Sequence, residues 1–188
     1  MTENKKERVI IFIDGSNFYH IVKNMYKDKK MKRKMFDFDF EKFSNFLTGK
    51  RKLIRTYYYI APLDKNKDKE TYSKQQKFFE KLRNIPNFNL ILCRMQKGKI
   101  GEKEFYTVKE DDINLAVDMV KLAYNDAYDD AILVSSDGDF VPAIKVVKET
   151  GKVIENIGFE NKFSFHLKNE CDNFRKLSKE ELNKFFIK

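Results

Sequence analysis

The sequence predicts an α/β protein of three layers, with helices on both faces of a mostly parallel sheet, and three observations lead there. Val9 to Ile13 (VIIFI) and Ala131 to Val134 (AILV) are small or apolar without alternation, as strands buried on both faces are. Each run stops abruptly in acids and turn formers, Asp14-Gly15-Ser16-Asn17 after the first and Ser135-Ser136-Asp137-Gly138-Asp139 after the second. Strand-like and helix-like segments then alternate along most of the chain. In open parallel sheets ligands bind outside the carboxyl ends of the strands, so the acids closing both runs stand where chemistry is usually done.

The elements follow in order. Residues 1–7 form a polar tail, Arg8 to Ile13 a first strand, and Phe18, Ile21, Val22 and Met25 mark a helix beginning near Asn17. After a basic loop from Tyr26 to Lys34, the alternation Phe36-Asp37-Phe38-Asp39-Phe40 predicts a short strand. Phe43, Phe46 and Leu47 belong to a helix that Gly49 closes. Leu53 to Ile60 is the second strand, ended by Pro62, and Tyr72 to Ile85 a helix stopped by Pro86. Phe88 to Met95 is the third strand, and Gln96 to Val108 a loose hairpin on the side of the acids.

A long helix runs from about Asp112 to Tyr124, with a wide apolar face and a polar stripe that includes Asp111 and Asp118. Ala131 to Val134 is the fourth strand, Val141 to Thr150 a helix and Lys152 to Gly158 the fifth strand. A short helix over Phe163 to Asn169 and an edge strand over Asn173 to Leu177 precede a last helix over residues 178–188, capped by Ser178 with Glu181 at the capping-box position. Residues 1–188 read as a single domain, a length that can bury one sizeable core.

Composition narrows the function. The chain is 41% hydrophobic and 36% charged, which suits a heavily solvated globular protein, and its net charge of +9 favours an anionic partner. The distribution is sharper than the sum. Lys23 to Lys34 holds seven basic residues, among them Lys29, Lys30 and Arg33, against Asp28 alone; Glu110 to Asp130 holds seven acids against Lys121. A basic surface around an acidic pocket is what a metal-dependent enzyme acting on nucleic acid needs. No apolar run approaches the roughly 20 residues that span a bilayer, so a cytoplasmic protein without membrane association is expected. Cys93 and Cys171 are far apart and lack metal-ligand spacing, and are read as buried, reduced thiols. With no phosphate-loop or dinucleotide fingerprint and only His20 and His166, kinase, dehydrogenase and histidine-based readings drop out.

Asp14, Asp112, Asp137 and Asp139 are the candidate catalytic and metal-binding residues, because strand ends and a helix start can bring them into one crevice. Like charges 4 Å apart repel by about 4 kcal/mol at an effective dielectric near 20. Such a set must take up protons or a cation, and oxygen donors alone select a hard ion, Mg²⁺ or Mn²⁺. Asp139 also occupies the position of an N-cap for the Val141 to Thr150 helix, and Asp118, about a third of a turn from Asp112 in angle, stays ambiguous.

Four segments carry a family resemblance: IDGSNFY (Ile13 to Tyr19), YYYIAP (Tyr57 to Pro62), DINLAVDMVKLAYNDAYDDAILVSSDGDFVPAI (Asp112 to Ile144) and LKNECDNFRKL (Leu167 to Leu177). In this order they resemble the NYN domain of the LabA-like group, within the PIN-like nuclease superfamily. The resemblance implies a PIN-like, Rossmann-like five-stranded sheet ordered 3-2-1-4-5 with a small C-terminal strand and helix, and an acid cluster that uses Mg²⁺ or Mn²⁺ to hydrolyse RNA. By position it assigns metal binding to Asp14, Asp112, Asp137 and Asp139 and an orienting role to Asn17; Ser16 and Ser136 beside them are read as further substrate-binding or orienting residues. Lys29, Lys30 and Arg33 would contact the RNA backbone. The chain departs from the family where Lys-Gly-Val-Asp usually precedes the long helix; it has Lys109-Glu110-Asp111-Asp112, which makes Asp111 a competing ligand. The reading is a metal-dependent endoribonuclease. The alternative is a nucleic-acid-binding regulatory module with a weak or vestigial metal site, and homo-oligomerisation stays open.

Overall fold

The computed structural model of the chain describes residues 6–27, 34–65, 68–100 and 103–187. Lys29, Lys30 and Arg33, expected to contact RNA, lie outside the described residues. The elements are β1 (Arg8–Asp14), α1 (Gly15–Met25), α2 (Phe40–Thr48), β2 (Lys52–Ile60), α3 (Lys69–Arg83), β3 (Phe88–Leu92), β4 (Arg94–Ile100), β5 (Lys103–Lys109), α4 (Asp111–Tyr124), β6 (Asp130–Val134), α5 (Val141–Glu149), β7 (Val153–Phe159), α6 (Phe165–Glu170), β8 (Asn173–Leu177) and α7 (Lys179–Asn183). Six strands form one sheet in the order β3-β2-β1-β6-β7-β8, with every pairing parallel. The first five follow the expected 3-2-1-4-5 order. The C-terminal strand extends the same sheet as β8, at the edge beside β7.

The strands lack alternation because both faces are covered. Val9, Ile11 and Ile13 of β1 enter one core with Phe18 of α1, Phe43 of α2, Phe79 of α3 and Leu182 of α7. Ile10 and Phe12 enter the other, with Leu115 and Met119 of α4, Ile144 of α5 and Leu167 of α6. Each such side chain contributes roughly 1.5–3 kcal/mol when fully buried, and the two-residue period of a strand sends neighbours to opposite layers. Both cysteines are buried. Among the described residues no helix is long and apolar enough to cross a membrane.

Several boundaries differ from expectation. Phe36 to Phe40 is not a strand: Met35–Asp37 is a 3₁₀ turn, Phe38 makes one isolated bridge to Phe186, and α2 already begins at Phe40. The Asp39 carboxylate accepts the Lys42 N–H at 2.9 Å and so starts the helix, while Phe38 and Phe40 reach the same aromatic core with ring centroids 4.8 Å apart. The third strand ends at Leu92, because its partner β2 ends at Ile60 with Pro62 just beyond; the chain leaves the sheet at Cys93 and enters the β4–β5 hairpin. The last helix stops at Asn183 despite its capping box, and Phe185 and Phe186 fold back into the first core.

Candidate functional site

Strands added from β1 outward through β2 and β3 run one way across the sheet, and those from β6 through β7 to β8 run the other. The junction of β1 and β6 is therefore the switch point, and the crevice outside its carboxyl ends is where such sheets hold ligands. Strand parity selects what lines it. Asp14 follows Ile10 and Phe12 on the face covered by α4, and Ser135 follows Ala131 and Leu133 on that same face, one residue past the Ile13–Val134 pair. The two meet: the Ser135 hydroxyl donates to Asp14 Oδ2 at 3.0 Å.

Asp14 is almost fully buried and caps α1, its Oδ1 accepting the Asn17 N–H at 2.9 Å. The helix starts directly at Gly15, two residues earlier than the apolar pattern suggested, and only glycine fits there. A Cβ would lie 2.5 Å from the Tyr59 carbonyl oxygen and 2.7 Å from the Tyr58 ring. Asn17 then reaches across, its Oδ1 accepting the Ser136 N–H at 3.1 Å. Ser135 in turn accepts the Asp137 N–H at 3.1 Å, and Asp137 Oδ1 accepts the Asp139 N–H at 3.0 Å. Asp137 thereby caps the 3₁₀ turn Gly138–Phe140, whereas Asp139 is not the cap of α5: Phe140 holds that position and makes no side-chain bond.

From the other side, α4 delivers two more acids. Glu110 has the left-handed φ of 74° and turns the chain from β5 into the helix. Its carboxylate pairs with Arg94 at 3.0 Å. Asp111 and Asp112 occupy the first helical turn, where the helix dipole favours negative charge. Carboxylate oxygens of Asp14, Asp111 and Asp112 lie within 4.8 Å of one another. Burial pushes Asp14 up to about 7, opposed by its hydrogen bonds from Asn17 and Ser135 and reinforced by the charges of Asp112 and Asp111. Asp112 is pushed up to about 6 by burial and then by Asp111, Asp137 and Asp139.

The tight grouping thus differs from the four acids expected. Asp111 joins it as a second buried acid beside Asp14, while Asp137 and the exposed Asp139 act on Asp112 across the crevice through their charge. Asp118 is not brought to the cluster; it accepts the Tyr59 hydroxyl at 3.0 Å and joins α4 to β2. Ser16 is half-buried in the first turn of α1, and the Ser136 hydroxyl donates to the Lys162 carbonyl at 2.9 Å. Ser135 and Asn156 were missed. The Asn156 amide donates to the carbonyls of Leu133 at 3.1 Å and Ser135 at 2.9 Å, fixing the end of β6. Parity and parallel register would have found both.

Comparison with known proteins agrees with this architecture. The model of the NYN domain matches residues 8–178, nearly the whole chain. The chain belongs to the NYN domain family. This places it in the PIN-like nuclease superfamily, whose members are nuclease-like. Among relatives, an uncharacterised protein of Methanocaldococcus jannaschii, MJ0482, is 41% identical over 69 residues, which are 37% of this chain and 29% of that protein. The match thus spans less than a third of that relative's length. The crystal structure of VPA0982, a protein of unknown function from Vibrio parahaemolyticus, superposes with a TM-score of 0.72 at 23% identity over 100% of both chains, a likeness of fold.

Proposed function

We propose that this NYN domain is a Mg²⁺- or Mn²⁺-dependent endoribonuclease. The observation that carries the reading is the group of three carboxylates within 4.8 Å at the switch point, none of which joins an ion pair among the described residues. The donor set fits a hard divalent cation: oxygen atoms only, with Asp14 and Asp112 raised by burial and by neighbouring carboxylates, and no histidine or thiol among them. Asp14, Asp111 and Asp112 would hold the ion, with Asp137 and Asp139 opposite Asp112. A bound ion supplies Lewis-acid polarisation of the phosphodiester and a lowered pKa for water.

The chain's own residues supply order. The Asn17 N–H and the Ser135 hydroxyl each occupy one oxygen of Asp14, so its rotamer is set before any ligand arrives. The Ser135–Asp137 hydrogen bond couples that rotamer to the opposite wall. RNA is the substrate this reading assigns, with the phosphodiester entering between the first turn of α4 and the loop after β6.

The test is cleavage of a fluorophore-quencher RNA by purified protein with Mn²⁺, Mg²⁺ or chelator, beside Asp14→Asn. Cleavage that needs the ion and falls by about 10²-fold or more in Asp14→Asn is expected. Equal activity in parent and variant across several RNA substrates would leave a nucleic-acid-binding module instead.

A further inference from the structure

Beside the acid cluster lies an aromatic surface that the carboxylates do not explain. Phe165, at the start of α6, is 67% exposed. Its ring stands 4.9 Å from that of Phe163, which stands 5.7 Å from that of Phe174 on β8, giving a contiguous run of three rings. The surface is seated by Gly158 of β7, where a Cβ would lie 2.7 Å from Phe163 Cβ and 2.9 Å from the Phe174 ring, so the missing side chain lets both residues pack close on the strand. Lys176 places its ammonium 5.6 Å from the centre of the Phe163 ring, and Lys168 places its own 5.8 Å from that of Phe174. Neither cation is paired with Phe165, whose ring is the exposed end of the run.

Two contacts tie this surface to the acids. Gly138, between Asp137 and Asp139, packs against Ser164 and His166, the residues on either side of Phe165; a Cβ built on it would lie 3.3 Å from Ser164 Oγ and 3.7 Å from His166 Cδ2. The carbonyl of Lys162 accepts the Ser136 hydroxyl at 2.9 Å, which anchors the segment leading to Phe163 beside the same loop. The exposed Lys168 and Lys176 therefore sit over aromatic rings near carboxylates that join no ion pair among the described residues. A polyanion carrying flat apolar faces matches that pattern: lysines meet phosphates and an aromatic ring meets a base.

We propose that Phe165, supported by Phe163 with the Lys176 ammonium over that second ring, is a base-stacking site for the nucleotide adjoining the phosphodiester at the acid cluster. The proposal deepens the ribonuclease reading and rests on it for the identity of the strand. Stacking on an exposed ring needs a base that is out of a duplex, so the site selects unpaired nucleotides.

The chain contains no tryptophan, so Phe165→Trp makes a single-tryptophan reporter at the site. Titration with a short oligouridylate in chelator, where binding is read without cleavage, should quench its fluorescence. An abasic strand of equal charge and a blunt RNA duplex should quench it far less. Phe165→Ala should weaken oligouridylate binding by roughly five- to 150-fold, the range for loss of one stacked base, while Phe165→Tyr should keep most of the affinity. Lys176→Ser should flatten the salt dependence of binding by roughly 0.7 log units. Quenching without any cleavage in Mn²⁺ would support the stacking site and sink only the ribonuclease reading. Binding and cleavage unchanged in Phe165→Ala, equal quenching by duplex and single strand, or loss of a dimer in Phe165→Ala on sedimentation would each overturn the stacking site, the last by assigning the ring to a second copy of the chain.

Discussion

At the amino edge of the sheet, Arg8 donates to Asp129 at 2.7 Å and Asp126 at 3.0 Å, and Arg51 bridges Asp130 at 3.1 Å and Glu155 at 3.0 Å. At the carboxyl edge, Asp14 and its neighbours have one another and no such partner among the described residues. Hydrogen bonding to Arg8 holds Asp129 down to about 2, whereas burial pushes Asp14 up to about 7. The same side chain serves opposite ends because of what faces it. A paired acid is already neutralised and contributes to stability; a buried, crowded one keeps its charge only if a cation arrives from outside. The run of acids from Glu110 to Asp130 divides along this line, with Asp126, Asp129 and Asp130 at the paired end and Asp111 and Asp112 at the unpaired one.

Exchanging one acid at each end should separate the two roles most sharply. Asp14→Asn should remove Mn²⁺-dependent cleavage, as proposed above, with the fold intact by circular dichroism. Asp129→Asn should leave cleavage near the parental rate, because it weakens an ion pair at the far edge; a large loss of activity there would break the comparison. Arg51→Met acts at the same edge and should lower the stability measured in urea by about 3 kcal/mol, since it strands Asp130 and Glu155 without their partner. A variant as stable as the parent would show that those acids do not depend on Arg51.

Acidity should tell the two ends apart in the parent protein. The native pKa of Asp14 lies above its unfolded value of about 4, so the native state binds more protons over the window from about 4 to 7, and stability from this group falls as pH rises through it. Asp129 has the opposite sign: its contribution is complete above about 4 and is lost as pH falls toward 2. In chelator, thermal melts should therefore show stability declining from pH 5 to pH 8 by on the order of 2 kcal/mol. Asp14→Asn should flatten that decline, and a parental profile rising over the same interval would contradict the assignment.

How much of this was legible in the sequence depended on whether a signal was local. The doubly buried strands, the acids closing them and the helices between them follow from apolar runs and turn residues, and the family resemblance added the strand order. Asp111 was harder to place, because its inward position depends on the left-handed turn at Glu110, and nothing in the residue itself announces that conformation. Ser135 lies one residue from the candidate Ser136, and only register with β1 shows which serine meets Asp14. The Phe36 to Phe40 alternation misled because Asp39 caps a helix, and a cap overrides a period-two pattern five residues long. Asp118 sits on the stripe beside the cluster but two turns along α4, where a tyrosine takes it.

The smallest expected effect comes from that turn. A non-glycine residue in the left-handed region costs about 1 kcal/mol, partly offset in Glu110 by its exposed pair with Arg94. Glu110→Gly should thus raise stability by up to about 1 kcal/mol without changing which acids face the crevice. A marked loss of stability would mean that the pair with Arg94 outweighs the backbone strain.

The most direct measurement is a calorimetric titration of Mn²⁺ into the protein at pH 6 and pH 8, in buffers of different ionisation enthalpy. Asp14 near 7 and Asp112 near 6 hold protons at the lower pH that a cation must displace. Saturable binding that releases protons at pH 6, releases far fewer at pH 8, and disappears in Asp14→Asn but persists in Asp129→Asn is the expected result. Absence of binding in the parent, or binding indifferent to Asp14→Asn, would contradict the carboxyl edge as a cation site.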